Sequence, residues 1–294
     1  MKRTRSWTPF PGRASALDYA ADALKKHWSR LHRGDQEPWP GVPYVTRLCR
    51  DHPQVARSIA GFDGDFAALS QRTLEAWRCY HRGDFEEAVG IAARLGWVGF
   101  PAAAKATLIY ATYLADRAQR LALLEDLIER AEAAAAALPE LASAHYAYAA
   151  ALGRHSQNTS VVEALARGSA GRIRDALQRT LDLAGDHAEA HVAFGTYHAE
   201  IIDKVGMLIG RVTYGASADE AVRHYDRALA LHPQSTIARV EYAQGLLSMF
   251  GSSRADRAAG LLGEAARLEP RDAMEWLDIE RAKVRLDLLR GERS

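Results

Sequence analysis

Cysteine is scarce in this chain of 294 residues. Cys49 and Cys79 are its two thiols, both in segments with helical periodicity, and they read as reduced, partly buried side chains rather than a disulfide or metal pair. Long apolar runs are lacking as well. The best candidate for a membrane span, Ile201 to Val212, is broken by Asp203, Lys204 and Arg211, whereas a spanning helix needs about 18 apolar residues in a row. No secretory leader is recognisable either: the basic first ten residues run into a proline-broken stretch that carries Asp18 and Asp22 where an apolar core would be required. These absences point to a cytoplasmic protein with no membrane span. Charge of one sign is also missing, since the formal net charge is +1. Residues 1 to 60 nevertheless hold eleven Lys/Arg against five Asp/Glu, +6 there and so −5 over the remainder. A basic end can favour an acidic partner, but these charges are scattered and lack interleaved aromatics, so they read as a solvated face and nucleic acid is not expected as a partner. Catalytic vocabulary is absent too. The chain has no GxGxxG, no P-loop and no GxSxG, and Gly168-Ser169-Ala170-Gly171 is one residue short of a nucleophile elbow and precedes no strand. No enzyme activity, cofactor or metal is therefore expected.

What the chain does have is composition for a core, 48% hydrophobic with 26% charged residues, and an internal repeat. Ala221, Tyr225, Ala228, Leu231 and Pro233 return thirty-seven residues later as Ala258, Leu262, Ala265, Leu268 and Pro270. Small residues where two helices approach, followed by a proline after the second helix, at a period somewhat above 34, resemble the tetratricopeptide-repeat family. The resemblance implies an all-α fold, a right-handed superhelix of about five helix pairs with capping helices at both ends. Such arrays serve as binding surfaces rather than catalysts.

Periodicity divides the chain into an N-terminal cap over 1–65, an array over 66–270 and a C-terminal capping helix over 271–294. Residues 1 to about 14 read as a ragged leader. Leu17, Leu24, Trp28 and Leu31 then mark a helix that ends at Gly34, and EPWPGVP follows as a rigid loop. The first hairpin begins at Phe66; Gly83 closes one helix and Asp84 caps the next, whose inner face is Phe85, Ala88, Ala92 and Leu95. Pro101, Pro139, Gly185, Pro233 and Pro270 mark the succeeding units. In the last helix Glu280 replaces the Ala or Gly of earlier units, which predicts a polar outer face.

The landmarks are unevenly spaced. Pro101 to Pro139 is 38 residues and Pro233 to Pro270 is 37, but Pro139 to Gly185 is 46 and Gly185 to Pro233 is 48. Both excesses fall between the two helices of a unit, as HSQNTSVVEALARGSAG and IIDKVGMLIGRVTYG, and insertions in a solenoid collect on one face, often the binding face. The second is too apolar to lie loose in water, so it is expected to fold back on the array beside VVEALARG and narrow the groove over Tyr146, Val192 and Thr196. Over residues 140 to 275 the paired insertions are similar to those of regulators of microtubule dynamics and of the accessory lipoprotein of TRAP-type transporters. This chain lacks the lipoprotein's lipidation cysteine, so an exported role does not carry over.

The family resemblance implies a partner-binding groove lined by the first helix of each unit. Its positions here are Lys105, Leu108 and Thr112; Ser143, Tyr146 and Ala150; Glu189, Val192 and Thr196; Ile237, Val240 and Gln244. Tyr146, Val192 and Val240 stand where carboxylate-clamp arrays resemble one another in placing a basic residue, which argues against a chaperone C-terminus. A protein or peptide is the expected partner, the alternative being a small apolar ligand in a tunnel under the two insertions. His187, His191 and His198 fall within about 40° of one another on one helix. His191 and His198 take packing positions, with His145 the equivalent of His191 one unit earlier, and His187 is expected to be exposed at the helix entry. HAEAH lacks the Glu placement of HExxH. Arg33-Gly34-Asp35 and Arg82-Gly83-Asp84 read as glycine C-caps, and Gly206 with Gly210 as close packing of the second insertion.

Overall fold

A computed structural model describes residues 7–12, 18–159 and 168–291. The regular structure of the described residues is helical, with no strand among them. Fifteen helices follow in order: α1 Ala21–Leu31, α2 Val42–Asp51, α3 Pro53–Ser58, α4 Phe66–Arg82, α5 Phe85–Ala92, α6 Gly96–Tyr113, α7 Arg117–Ala137, α8 Ala142–Gln157, α9 Ser169–Leu183, α10 Ala188–Val205, α11 Met207–Tyr214, α12 Ala218–Leu231, α13 Thr236–Phe250, α14 Ala255–Ala266 and α15 Ala273–Gly291. Leu17 and most of VVEALARG lie outside the described residues.

Contacts divide the chain into two compact units, the first comprising residues 1–30 and 37–158, the second residues 31–36 and 159–294. In each unit, neighbours in sequence are neighbours in space: α4 packs on α5, α5 on α6, α6 on α7 and α7 on α8 in the first, and α9 on α10, α12 on α13, α13 on α14 and α14 on α15 in the second. α10 also touches the inserted α11, but it passes over that helix to make its main pairing with α12. The residues that carry the repeat explain the pairing. Ala221, Tyr225 and Ala228 on α12, and Ala258, Leu262 and Ala265 on α14, are all buried, the four alanines completely, because only a methyl group fits where two helix backbones approach. Alanine does the same in the first unit, where Ala104, Ala111, Ala131, Ala134, Ala144, Ala147 and Ala151 share a core with Phe100, Leu124 and Leu127.

The turn from one pair to the next recurs atom for atom. The N–H groups of Leu138, Ala184 and His232 each donate at 2.8 Å to the carbonyl four residues back, and those of Leu141, His187 and Ser235 donate at 2.9, 3.0 and 3.0 Å to the carbonyl three back. After the second and third of these turns the next helix is capped by a side chain, His187 Nδ1 accepting from Ala190 N–H (3.1 Å) and Ser235 Oγ from Ala238 N–H (3.2 Å), and Asp272 Oδ1 accepts from Glu275 N–H (2.9 Å) at the start of α15, whereas α8 begins at Leu141 without a side-chain cap. His187 is thus the N-cap of α10 and fully buried, not exposed.

Several local expectations are corrected. Residues 7–12 are not ragged: the Trp7 ring stacks on Tyr110 with centroids 4.0 Å apart, Thr8 N–H donates to the Tyr110 hydroxyl at 2.8 Å, and Phe10 lies over Gly83, whose missing Cβ would come within 2.5 Å of that ring. Gly83 does close α4, with φ +96°, but the Asp84 side chain leaves the α5 amides uncapped and pairs with Arg82 at 2.5 Å instead. Pro101 does not start a unit. It lies inside α6, which begins at Gly96. At the first Arg-Gly-Asp, α1 ends at Leu31 and the left-handed residue is Gln36 (φ +54°) rather than Gly34. There Arg33 Nε donates to Leu231 O at 2.9 Å, and Gly34 O accepts from Glu189 N–H at 2.9 Å. The outer face of α15 is not uniformly polar, since Val284 and Leu288 are exposed.

Candidate functional site

The twelve expected groove positions fare differently in the two units. On α6, Lys105, Leu108 and Thr112 are half-buried, and so are Ser143, Tyr146 and Ala150 on α8, which packs beside α6. In the second unit Glu189, Thr196, Ile237 and Gln244 are half-buried. Val192 and Val240 are instead 5% and 0% exposed and belong to its apolar cores, so neither can line an open groove. Their neighbours are engaged by the chain itself. A Cβ on Gly34 would stand 3.1 Å from Glu189 Oε1. Thr196 Oγ1 is 3.1 Å from the Tyr225 hydroxyl and 3.4 Å from Glu241 Oε2. Arg281 donates to Glu241 Oε1 at 3.3 Å, and Arg285 donates to Gln244 Oε1. The second-unit row is thus substantially filled by α15 and residues 31–36.

The histidines converge across a helix pair rather than along one helix. His191 Nδ1 lies 2.9 Å from His224 Nδ1, and His191 Nε2 lies 3.3 Å from Gly185 O. His145 makes the same contact in its own unit, its Nε2 3.0 Å from Pro139 O, which bears out the equivalence of the two positions. Phe194 stacks on His224 at 4.6 Å and on His198 at 5.6 Å. Ligand atoms of His198, Glu220 and His224 all lie within 4.8 Å of one another. Burial is the main cause that lowers His198 and His224 to about 4, opposed in both by Glu220; it also depresses His191, against the Gly185 carbonyl. At neutral pH all three imidazoles are uncharged. Both cysteines are free and buried, and burial pushes the Cys79 thiol up to about 12.

The second insertion does not fold onto the array as an apolar lid. On α11 Met207, Leu208, Ile209 and Val212 are 54–78% exposed, whereas Gly210 is buried, with a Cβ there only 3.3 Å from Ile201. An eight-residue helix has one narrow inner face, and here that face is glycine. A cleft of about 340 Å³ lies elsewhere, in the first unit, lined by Ser58, Trp97, Phe100, Glu129, Arg130 and Ala133 among others.

No family model and no curated protein matches the sequence. Among solved structures, the crystal structure of a thermophilic TPR protein of Thermus thermophilus superposes with a TM-score of 0.54 at 16% identity, covering 74% of this chain and 99% of that one. The chain has the tetratricopeptide-repeat fold. In the terms of that fold, α10 and α12 are the two helices of one repeat, and α11 is an insertion between them. His224 and Glu220 escape a reading confined to one helix because they sit on the repeat's second helix, facing His198 on the first. Their own four-residue spacing on α12 was the available signal. Among the described residues no helix is long and apolar enough to cross a membrane.

Proposed function

We propose that the chain is a non-catalytic scaffold that binds an extended protein or peptide segment, and that α6 and α8 of the first unit receive it. The observation that carries this reading is that all six of Lys105, Leu108, Thr112, Ser143, Tyr146 and Ala150 are half-buried on adjacent helices, whereas Val192 and Val240 of the second-unit row are buried in apolar cores. The tetratricopeptide fold supports it, because stacked helix pairs leave a first-helix face available to partners. Leu108 and Tyr146 are the anchors: apolar and aromatic side chains in partly desolvated positions carry most of the energy of a peptide interface. Small neighbours at Ser143 and Ala150 leave room for the partner's backbone.

Selection of displayed peptides on the purified chain, followed by calorimetric titration, tests the proposal. Leu108→Glu and Tyr146→Ala are each expected to weaken the selected peptides by about tenfold or more, roughly 1.4 kcal/mol, while Gln244→Ala leaves affinity unchanged. Peptides that bind both first-unit variants as well as the parent would overturn the assignment.

A further inference from the structure

We propose that His198, Glu220 and His224 form a binding site for a divalent transition-metal cation of the zinc class, with His191 fixing the tautomer of His224. The site lies within one helix pair of the second unit, apart from the first-unit rows on α6 and α8. Glu220 and His224 are four residues apart on α12 and therefore stacked on one helix face, and His198 comes from α10 opposite. Their ligand atoms lie within 4.8 Å of one another. Three ligands around one zinc ion at about 2.1 Å stand about 3.4 Å apart, so rotation of the half-buried Glu220 and His224 side chains closes the gap.

The hydrogen bonds determine which nitrogen of His224 is available. His191 faces a carbonyl through Nε2, at 3.3 Å from Gly185 O, so that nitrogen carries the hydrogen and Nδ1 of the same neutral ring is the acceptor. The 2.9 Å contact to His224 Nδ1 must then be donated by His224. That leaves Nε2 of His224 as a bare lone pair. A ligating imidazole whose other N–H is held by an outer partner is the usual arrangement around protein-bound metals. His198 Nδ1 accepts a long bond, 3.4 Å, from Ser217 N–H. Coordination through Nδ1 replaces that bond, and coordination through Nε2 puts the proton on Nδ1, so either mode releases the Ser217 amide.

Ring stacking on Phe194 accounts for the burial of the two imidazoles, and capping of α12 by Ser217 accounts for a Glu at 220. Neither accounts for two imidazole nitrogens within 4.8 Å of each other and of a carboxylate oxygen. The donor set, two imidazoles and one carboxylate, suits zinc and its transition-metal neighbours better than calcium or magnesium, which take oxygen ligands. Arg223 opposes the ion: it pairs with Glu220, and its side chain is 68% exposed and free to swing away. His198 and Glu220 bracket residues 199–219, so a bound cation ties together the two ends of the inserted segment.

The test uses the full chain stripped with a chelator and titrated with zinc chloride by calorimetry, with cobalt(II) absorption as the geometric readout. One ion per chain is expected, with a rise in melting temperature. Glu220→Gln and His224→Phe, which keep the cap and the ring stack, should each weaken binding by at least about tenfold, and His191→Phe by about tenfold through the outer shell. Arg223→Ala should tighten it. Absence of binding at about 100 µM zinc, or undiminished affinity in both Glu220→Gln and His224→Phe, overturns the proposal.

Discussion

Tyr225 is wedged between two glycines, and replacing either should cost stability where the same change elsewhere adds it. The ring is fully buried between α10 and α13, stacked on Tyr242 with centroids 4.8 Å apart, its hydroxyl 3.1 Å from Thr196 Oγ1. A Cβ on Gly195 would stand 2.8, 2.9 and 2.9 Å from Cε1, Cδ1 and Cζ of that ring, well inside the carbon contact distance of about 3.5 Å. The ring cannot retreat: a Cβ on Gly245 would already be 2.7 Å from its hydroxyl, and Tyr242 occupies one face. Overpacking of this kind costs about 1 to 3 kcal/mol, against a gain of about 1 kcal/mol for alanine over glycine inside a helix. Gly195→Ala should therefore lose up to about 2 kcal/mol, a fall in melting temperature of up to about 8 °C. Gly260, on α14, has nothing within 4 Å of its absent Cβ, so Gly260→Ala should show only the gain, up to about 1 kcal/mol. Thermal melts followed by circular dichroism read both. Double-mutant cycles locate the strain: Tyr225→Phe should relieve Gly245→Ala, whose nearest clash is the hydroxyl, more than Gly195→Ala, whose clashes are ring carbons. A Gly195→Ala protein that melts as high as Gly260→Ala would refute the reasoning.

His187→Ala removes the N-cap of α10 and should cost about 1 kcal/mol or more, while His187→Ser, the residue at the equivalent position 235, should recover part of it; denaturant titrations compare the two. The Cys79 thiol, pushed up to about 12 by burial, stays protonated at pH 8, and Cys49 shifts in the same direction, so a thiol reagent should label neither until the chain unfolds; rapid labelling of the native protein would contradict this. Trp7→Ala forfeits the stack on Tyr110, a pair worth about 1 kcal/mol beyond its buried area, and should lower the melting temperature measurably; an unchanged thermal melt would contradict this.

The offset of thirty-seven residues between two units, with alanines at its matched positions, was enough to indicate the fold, because close helix approach admits only small side chains and leaves that mark in the sequence. The positions of the glycine cap at Gly83, the turns at Pro139, Gly185 and Pro233, and the likeness of His145 to His191 are local and were legible for the same reason. Distances across the chain were not. Residues 31–36 lie against Glu189 and Leu231, α15 sends Arg281 and Arg285 onto α13, and Val192 and Val240 sink into cores that a linear register assigned to a groove. The apolar IIDKVGMLIGRVTYG pattern predicted burial, yet burial needs a partner surface, and α11 has glycine rather than its apolar residues on the side that meets α10. The meeting of His198 with Glu220 and His224 belongs to the same class: side chains twenty-two or more residues apart, on two helices separated by an insertion, are brought together only when α10 passes over α11 to pair with α12.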